Sequence, residues 1–269
     1  MWYWLLKYIF MGPLLAFLGR PKVEGLEYVP KSGAAILASN HLAVADSFYL
    51  PLVVRRRITF LAKAEYFTGK GLKGRLTAWF YTAAGQVPID RTSADAAQGA
   101  LATAQRLLND GKLMGMYPEG TRSPDGRLYK GKSGLARLAL ETGVPVIPVA
   151  MVGTDVVNPP GSRMWRFGRV EVRFGKPMDF SRFDGMAGNR FIERAVIDEV
   201  TTIWRACASA FCSDRCSCLR RASSRPASSA SGWWPAKVSR NAYSGLVPMS
   251  PNTTPMAPTA RVMMEACLC

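Results

Sequence analysis

The sequence predicts an α/β fold: a mixed central sheet flanked by helices, preceded by an apolar helical segment that contacts a membrane. Three observations predict it. Short apolar runs alternate with helical patterns between residues 34 and 205, and such alternation argues for a sheet covered by helices. A lone histidine and several arginines fall in short loops directly after those runs, where α/β proteins carry their sites. Residues 2–19 are the one stretch long and apolar enough to concern a membrane, which excludes a polytopic membrane protein.

Residues 2–19 (WYWLLKYIFMGPLLAFLG) hold a single charge, Lys7. As a helix they would reach about 27 Å, against a hydrocarbon core of about 30 Å. Gly12-Pro13 predicts a kink or two short helices. Trp2, Tyr3 and Trp4 have the character of interface residues, and Arg20 and Lys22 suit an anionic leaflet. Shallow, monotopic insertion is the favoured reading; a spanning helix and a helix buried in a soluble core are the alternatives. A signal peptide fits poorly, because no basic cluster opens the segment and no A-x-A site comes after it. Residues 1–22 are thus the membrane-contacting segment, placed peripherally or monotopically at the cytoplasmic face of the cell membrane.

Within residues 23–205 the elements come in order. Residues 34–39 form an apolar run suited to a buried strand, and Asp46 is placed to cap the next helix. Residues 58–63 read as a strand and 73–83 as a helix. Residues 94–109 are the clearest helix, with Thr92-x-x-Asp95 as capping signal and Gly111 as stop. Residues 113–117 read as a strand, 133–142 as a helix ending at Gly143, and 144–152 as a strand. Residues 170–174 alternate as an edge strand does, and 188–205 close with an amphipathic helix.

Composition changes near residue 205. All six cysteines lie from Cys207 onward, and residues 206–269 hold 11 serines, 11 alanines and 6 prolines without apolar periodicity. Residues 206–269 read as an out-of-frame or otherwise non-selected extension, the alternative being a disordered tail. The cysteine-free body is consistent with a reducing compartment. Cys212, Cys216 and Cys218 show no CxxC pair and no nearby histidine, so a metal site there is weakly supported.

At 48% apolar and 20% charged residues the chain as a whole is not disordered. Its net charge of +16 predicts an anionic partner. Nucleic acid is not expected; an anionic membrane surface is. The single histidine, His41, excludes a histidine-rich metal site and leaves one imidazole for catalysis.

His41 comes directly after the first strand, and Asp46 lies five residues on, off the shared face of one helix. A strand–turn–helix brings the two together. Asp46 would then hold one ring nitrogen and leave the other to take a proton from a substrate hydroxyl, a step that contributes about 10²–10⁴-fold. The alternative is a structural histidine. Ala43 stands where a serine could attack, and no G-x-S-x-G elbow exists. A base here would activate the acceptor hydroxyl directly, without an acyl-enzyme.

Two further blocks, Gly85-Gln86-Val87-Pro88-Ile89-Asp90-Arg91 and Tyr117-Pro118-Glu119-Gly120-Thr121-Arg122-Ser123, each end an apolar run with an arginine. Two guanidinium forks could hold one phosphate, each charged hydrogen bond contributing about 1.5–3 kcal/mol. Gly120 permits close backbone approach and Thr121 offers a hydroxyl. The alternatives are solvated surface turns, or a simple Glu119–Arg122 pair. The P-loop pattern formed by Gly126, Gly131, Lys132 and Ser133 comes after a polar turn rather than a strand end. Lys130 and Lys132 are better read as basic groups near an anionic ligand.

These blocks, in this order, resemble the glycerolipid acyltransferase family, the 1-acyl-sn-glycerol-3-phosphate acyltransferases. Asn40-His41 with Asp46 resembles the NH-x4-D motif, and residues 85–91 resemble G-x-I/V-P-I/V-D-R. Residues 118–123 match P-E-G-T-R-S, and residues 144–150 match V-P-V-I-P-V-A. Residues 20–25 are similar to the opening of bacterial members, and the likeness covers roughly residues 1–205. The resemblance implies that family's fold and transfer of a fatty acyl group from acyl-CoA or acyl-carrier protein, with no bound cofactor. The acceptor would be the sn-2 hydroxyl of lysophosphatidic acid and the product phosphatidic acid; glycerol 3-phosphate or another lysolipid, and a non-catalytic membrane-binding relative, are the alternatives. It implies that His41 is the base and Asp46 its partner. Arg91, Glu119, Gly120, Thr121 and Arg122 would shape the acceptor-phosphate site, with Lys63 also facing the phosphate. The role of Pro148, in the fourth block, is left open. Two departures stand out. Ala43 replaces a serine that many members have, and the family's usual C-terminal helix reads as lost after Arg205.

Overall fold

The computed structural model describes residues 2–89, 94–162 and 164–223, with the backbone alone for 94–97 and 209–223. Arg91 and Thr92, and the tail from residue 224 on, lie outside the described residues. Chain contacts divide the protein after Trp204, and the sheet and its loops belong to the body, Met1–Trp204.

Seven strands build one sheet: β1 (Lys22–Glu24), β2 (Ala35–Ser39), β3 (Ile58–Lys63), β4 (Val87–Ile89), β5 (Leu113–Met116), β6 (Val146–Val152) and β7 (Glu171–Phe174). Their order is β1-β7-β6-β2-β5-β3-β4. The block from β6 to β4 is parallel; β7 runs antiparallel to β6, and β1 pairs parallel with β7. This is the mixed sheet that the alternating pattern predicts.

β2 lies at its centre, and all five of its residues are buried. A parallel strand covered on both faces needs such an unbroken apolar run. Ala35 and Leu37 join the core that holds Tyr49, Leu50, Ile58 and Phe60. Ile36 and Ala38 join the other core, with Met114, Leu135, Leu138 and Trp204. The helices are α1 (Trp2–Leu5), α2 (Gly12–Gly19), α3 (Asp46–Val53), α4 (Gly71–Ala83), α5 (Ala94–Asn109), α6 (Gly134–Thr142), the short α7 (Thr154–Val157) and α8 (Arg190–Ser223). Gly111 and Gly143 take the left-handed conformation that ends α5 and α6.

The N-terminal segment is helical throughout, with a π-helical turn, Leu6–Met11, between α1 and α2. Pro13 has no N–H and its ring would crowd the carbonyl four residues back, so the ladder widens ahead of it. Of the segment, 28% is buried. Its inner face packs on α3: Leu15 is buried, and the Tyr49 hydroxyl donates to the Leu15 carbonyl at 2.9 Å. Lys7 is buried and donates to the Val54 carbonyl at the end of α3.

Three expectations are corrected. Residues 171–174 are not an edge: β7 is fully buried between β1 and β6. The alternation there comes from an ionic cluster in which buried Arg173 pairs with buried Glu171 at 3.3 Å and with the partly exposed Glu24 at 3.2 Å. Asp46 starts α3 but does not cap it, because its carboxylate turns back onto the preceding loop. The last helix does not stop at Arg205; its backbone runs to Ser223, since residues 206–223 contain neither proline nor glycine.

Candidate active site

The parallel strands β2, β3, β4 and β5 all end on one side of the sheet, and the loops after β2, β3 and β5 build the site. The loop from β2 to α3 carries His41. Asn40 anchors it: its amide donates to the Met151 carbonyl at 2.9 Å and accepts from the Met151 N–H at 2.7 Å, imitating a strand partner. His41 Nδ1 lies 3.0 Å from Asp46 Oδ2. The same oxygen accepts the N–H groups of Leu42 at 2.7 Å and Ala43 at 2.8 Å. Asp46 is wholly buried, so three donors locate one carboxylate oxygen.

The Asp46 oxygen that accepts two backbone N–H groups also faces Nδ1, which leaves Nε2 turned away from the carboxylate, on a ring that borders a cavity. Tyr117 stacks flat against that ring, with centroids 3.9 Å apart and planes at 11°. Behind it Phe60 stacks on Tyr117 at 5.6 Å, and the Tyr117 hydroxyl meets Ser47 Oγ at 3.2 Å. Burial and the Asp46 charge push the Tyr117 hydroxyl well above its usual range, so it stays neutral.

Glu119 neither pairs with Arg122 nor borders the cavity. It is buried, with Oε1 accepting the His41 N–H at 3.1 Å and Oε2 the Tyr129 N–H at 3.2 Å. Burial raises its pKa, opposed by those two N–H donors. The Ser123 N–H completes the tie by donating to the His41 carbonyl at 2.8 Å. Glu119 locks the loop after β5 onto the loop after β2.

Gly120, Thr121, Arg122 and Lys63 do border the cavity with His41. Gly120 has φ +78°, and a Cβ there would come within 2.9 Å of the Lys132 ammonium, which lies across it. The Lys132 N–H donates to the Pro118 carbonyl at 2.7 Å. The P-loop look-alike is therefore folded against the loop after β5, and its lysine lies over that loop. Arg122 is felt electrostatically by Tyr81. Among the described residues neither Arg122 nor Lys132 has a carboxylate partner, whereas Lys63 lies 4.0 Å from Glu65.

The cavity has a volume of about 1170 Å³. Its walls include Tyr3, Leu6 and Met11 from the N-terminal segment and Phe80, Tyr81 and Ala84 at the end of α4. An apolar chamber thus adjoins a histidine–carboxylate pair and a cationic rim. No group of three or more potential metal-ligating side chains occurs among the described residues.

The model of the acyltransferase family matches residues 20–152, a span that holds every one of the motif residues. Over those residues the chain is similar to the acyltransferase family. Among its relatives is the chloroplastic 1-acyl-sn-glycerol-3-phosphate acyltransferase of Arabidopsis thaliana, 34% identical over 164 residues, covering 60% of this chain and 44% of the relative. The human 1-acyl-sn-glycerol-3-phosphate acyltransferase alpha is 30% identical over 160 residues, covering 59% and 55%. The chain spans about half the length of the curated relatives it matches. The crystal structure of the 1-acyl-sn-glycerophosphate acyltransferase from Thermotoga maritima superposes with a TM-score of 0.52 at 26% identity, covering 70% of this chain and 75% of that one.

Within this site, sequence reasoning missed the Tyr117 stack and the Asn40 clamp. Each joins residues 70 or more positions apart, and no local signal encodes such a contact. The pattern did mark both residues as members of motif blocks, without their roles.

Proposed function

We propose that the protein transfers a fatty acyl group from acyl-CoA or acyl-carrier protein to the sn-2 hydroxyl of lysophosphatidic acid, giving phosphatidic acid. The carrying observation is the His41–Asp46 pair, 3.0 Å apart, on the wall of an apolar cavity whose rim holds Arg122 and Lys132. His41 Nε2 takes the hydroxyl proton as the oxygen attacks the thioester carbonyl carbon. The carbon–sulfur bond breaks, and the imidazolium returns its proton to the departing thiolate. Asp46 steadies the imidazolium, and such general-base assistance contributes about 10²–10⁴-fold. Arg122, Lys132 and Thr121 receive the acceptor phosphate, with Lys63 and Arg91 adding charge. The acyl chains occupy the apolar chamber.

The names of the relatives support the acceptor, and the positive charge suits either donor and an anionic bilayer. The N-terminal segment rests at the cytoplasmic face of the membrane without crossing it. Residues 206–269 are an appendage outside the chemistry.

The test is an assay of purified protein with lysophosphatidic acid against glycerol 3-phosphate, each with acyl-CoA and with acyl-carrier protein. Turnover of lysophosphatidic acid is expected; transfer to glycerol 3-phosphate alone would reassign the acceptor. His41→Ala is expected to abolish transfer and leave membrane binding intact, and unchanged turnover would refute the mechanism. Arg122→Ala is expected to raise KM for the acceptor about 10- to 100-fold, the loss of one charged hydrogen bond. A defect confined to the acyl donor would contradict the phosphate assignment.

A further inference from the structure

α4 is thirteen residues long and has no buried residue. An isolated helix of that length is marginal in water, and helices of this size owe their stability to an apolar face packed against something. Leu72, Leu76 and Trp79 have i, i+4, i+7 spacing and so share one face. They are 84%, 63% and 43% exposed. The far end of the helix is held to the body by ring contacts of Phe80 with Phe48 and of Tyr81 with Tyr66. The charges along it, Lys70, Lys73 and Arg75, are all basic, and the helix contains no acidic residue. The stripe continues onto the N-terminal segment, because Trp79 meets Trp2 edge-on at 5.5 Å. There Ile9, Phe10, Leu14 and Phe17 are exposed in turn.

We propose that α4 is a second membrane-docking element, with Leu72, Leu76 and Trp79 entering the headgroup–acyl boundary of an anionic bilayer. Lys70, Lys73 and Arg75 sit at the level of the lipid phosphates. The inference rests on the reading of the N-terminal segment as a membrane contact, and adds an element that its hydropathy does not reveal. Basic residues interleaved with large apolar ones match a surface that offers anions and hydrocarbon together. The placement has a consequence for the substrate. The N-terminal segment and the end of α4 both wall the cavity, so both docking elements flank it. An acyl chain enters between them from the leaflet without crossing water.

The test is flotation of the full chain with vesicles of phosphatidylglycerol and phosphatidylethanolamine, with hydrogen exchange of the α4 amides measured alongside. The Leu72→Asp/Leu76→Asp variant is expected to lower partitioning about 10-fold or more, at unchanged thermal stability because both side chains are exposed. The α4 amides of the wild type are expected to exchange more slowly when vesicles are added. Unchanged partitioning of that variant, with α4 exchange indifferent to vesicles, overturns the proposal. If a Phe10→Ser/Leu14→Ser/Phe17→Ser variant then loses binding, the N-terminal reading stands without α4. If only the α4 variant loses binding, α4 stands and the N-terminal reading falls. Protection of α4 that rises with protein concentration in the absence of lipid assigns the face to a second copy and overturns the proposal.

Discussion

His41 is held on three sides: by the Asp46 carboxylate at Nδ1, by the Tyr117 ring against its face, and by Glu119 at its backbone N–H. An imidazole held this way loses little entropy on reaching a fixed geometry. Glu119 acts through the backbone, and its effect is visible in stability. Burial raises its pKa, so the folded protein binds that proton more tightly than the unfolded chain. The stability this contributes is fully present below the ordinary carboxylate range and is lost as pH rises through the raised value. Denaturant unfolding should therefore show a larger gap between wild type and Glu119→Gln near about pH 4 than near about pH 7. An equal gap at both would mean that the carboxyl is not destabilised by burial.

At the scale of elements, helices on both faces pin the strand that feeds the site. On one face α3 returns Asp46 to the loop it leaves. On the other, α8 brings Trp204, 1% exposed, to donate its indole N–H to the Ala38 carbonyl at 2.8 Å, two residues before Asn40. Trp204→Ala should cost about 3–5 kcal/mol in denaturant unfolding, through the cavity left behind and the lost bond. A cost below about 1 kcal/mol would show that α8 does not clamp β2. Trp204 sits at the edge of the composition break near residue 205.

For the whole molecule, a net positive charge accompanies exposed apolar surface. The chain carries +16, and its exposed large apolar residues concentrate on the N-terminal segment, α4 and the loop holding Met164 and Phe167, where Phe17 meets Phe167 at 5.3 Å. Binding to anionic vesicles should weaken as salt rises from about 0.1 M to about 1 M, where the screening length falls from about 10 Å to about 3 Å. Sedimentation with vesicles at the two salt levels checks it. Binding indifferent to salt would assign the attachment to apolar insertion alone.

The sequence by itself determined the alternation of strands and helices, the strand ends that carry His41 and Arg122, and the apolar N-terminal segment. Each of these is written in contiguous residues, as a periodicity or a motif. Only the tertiary structure decided that Glu119 faces backbone, that Tyr117 backs the imidazole, that Lys132 lies across Gly120, and that residues 171–174 are interior. These contacts join separate segments of the chain, so burial and pairing at each depend on what the fold brings opposite. A glutamate in a loop reads the same whether it meets a phosphate or an N–H; its neighbours in space decide.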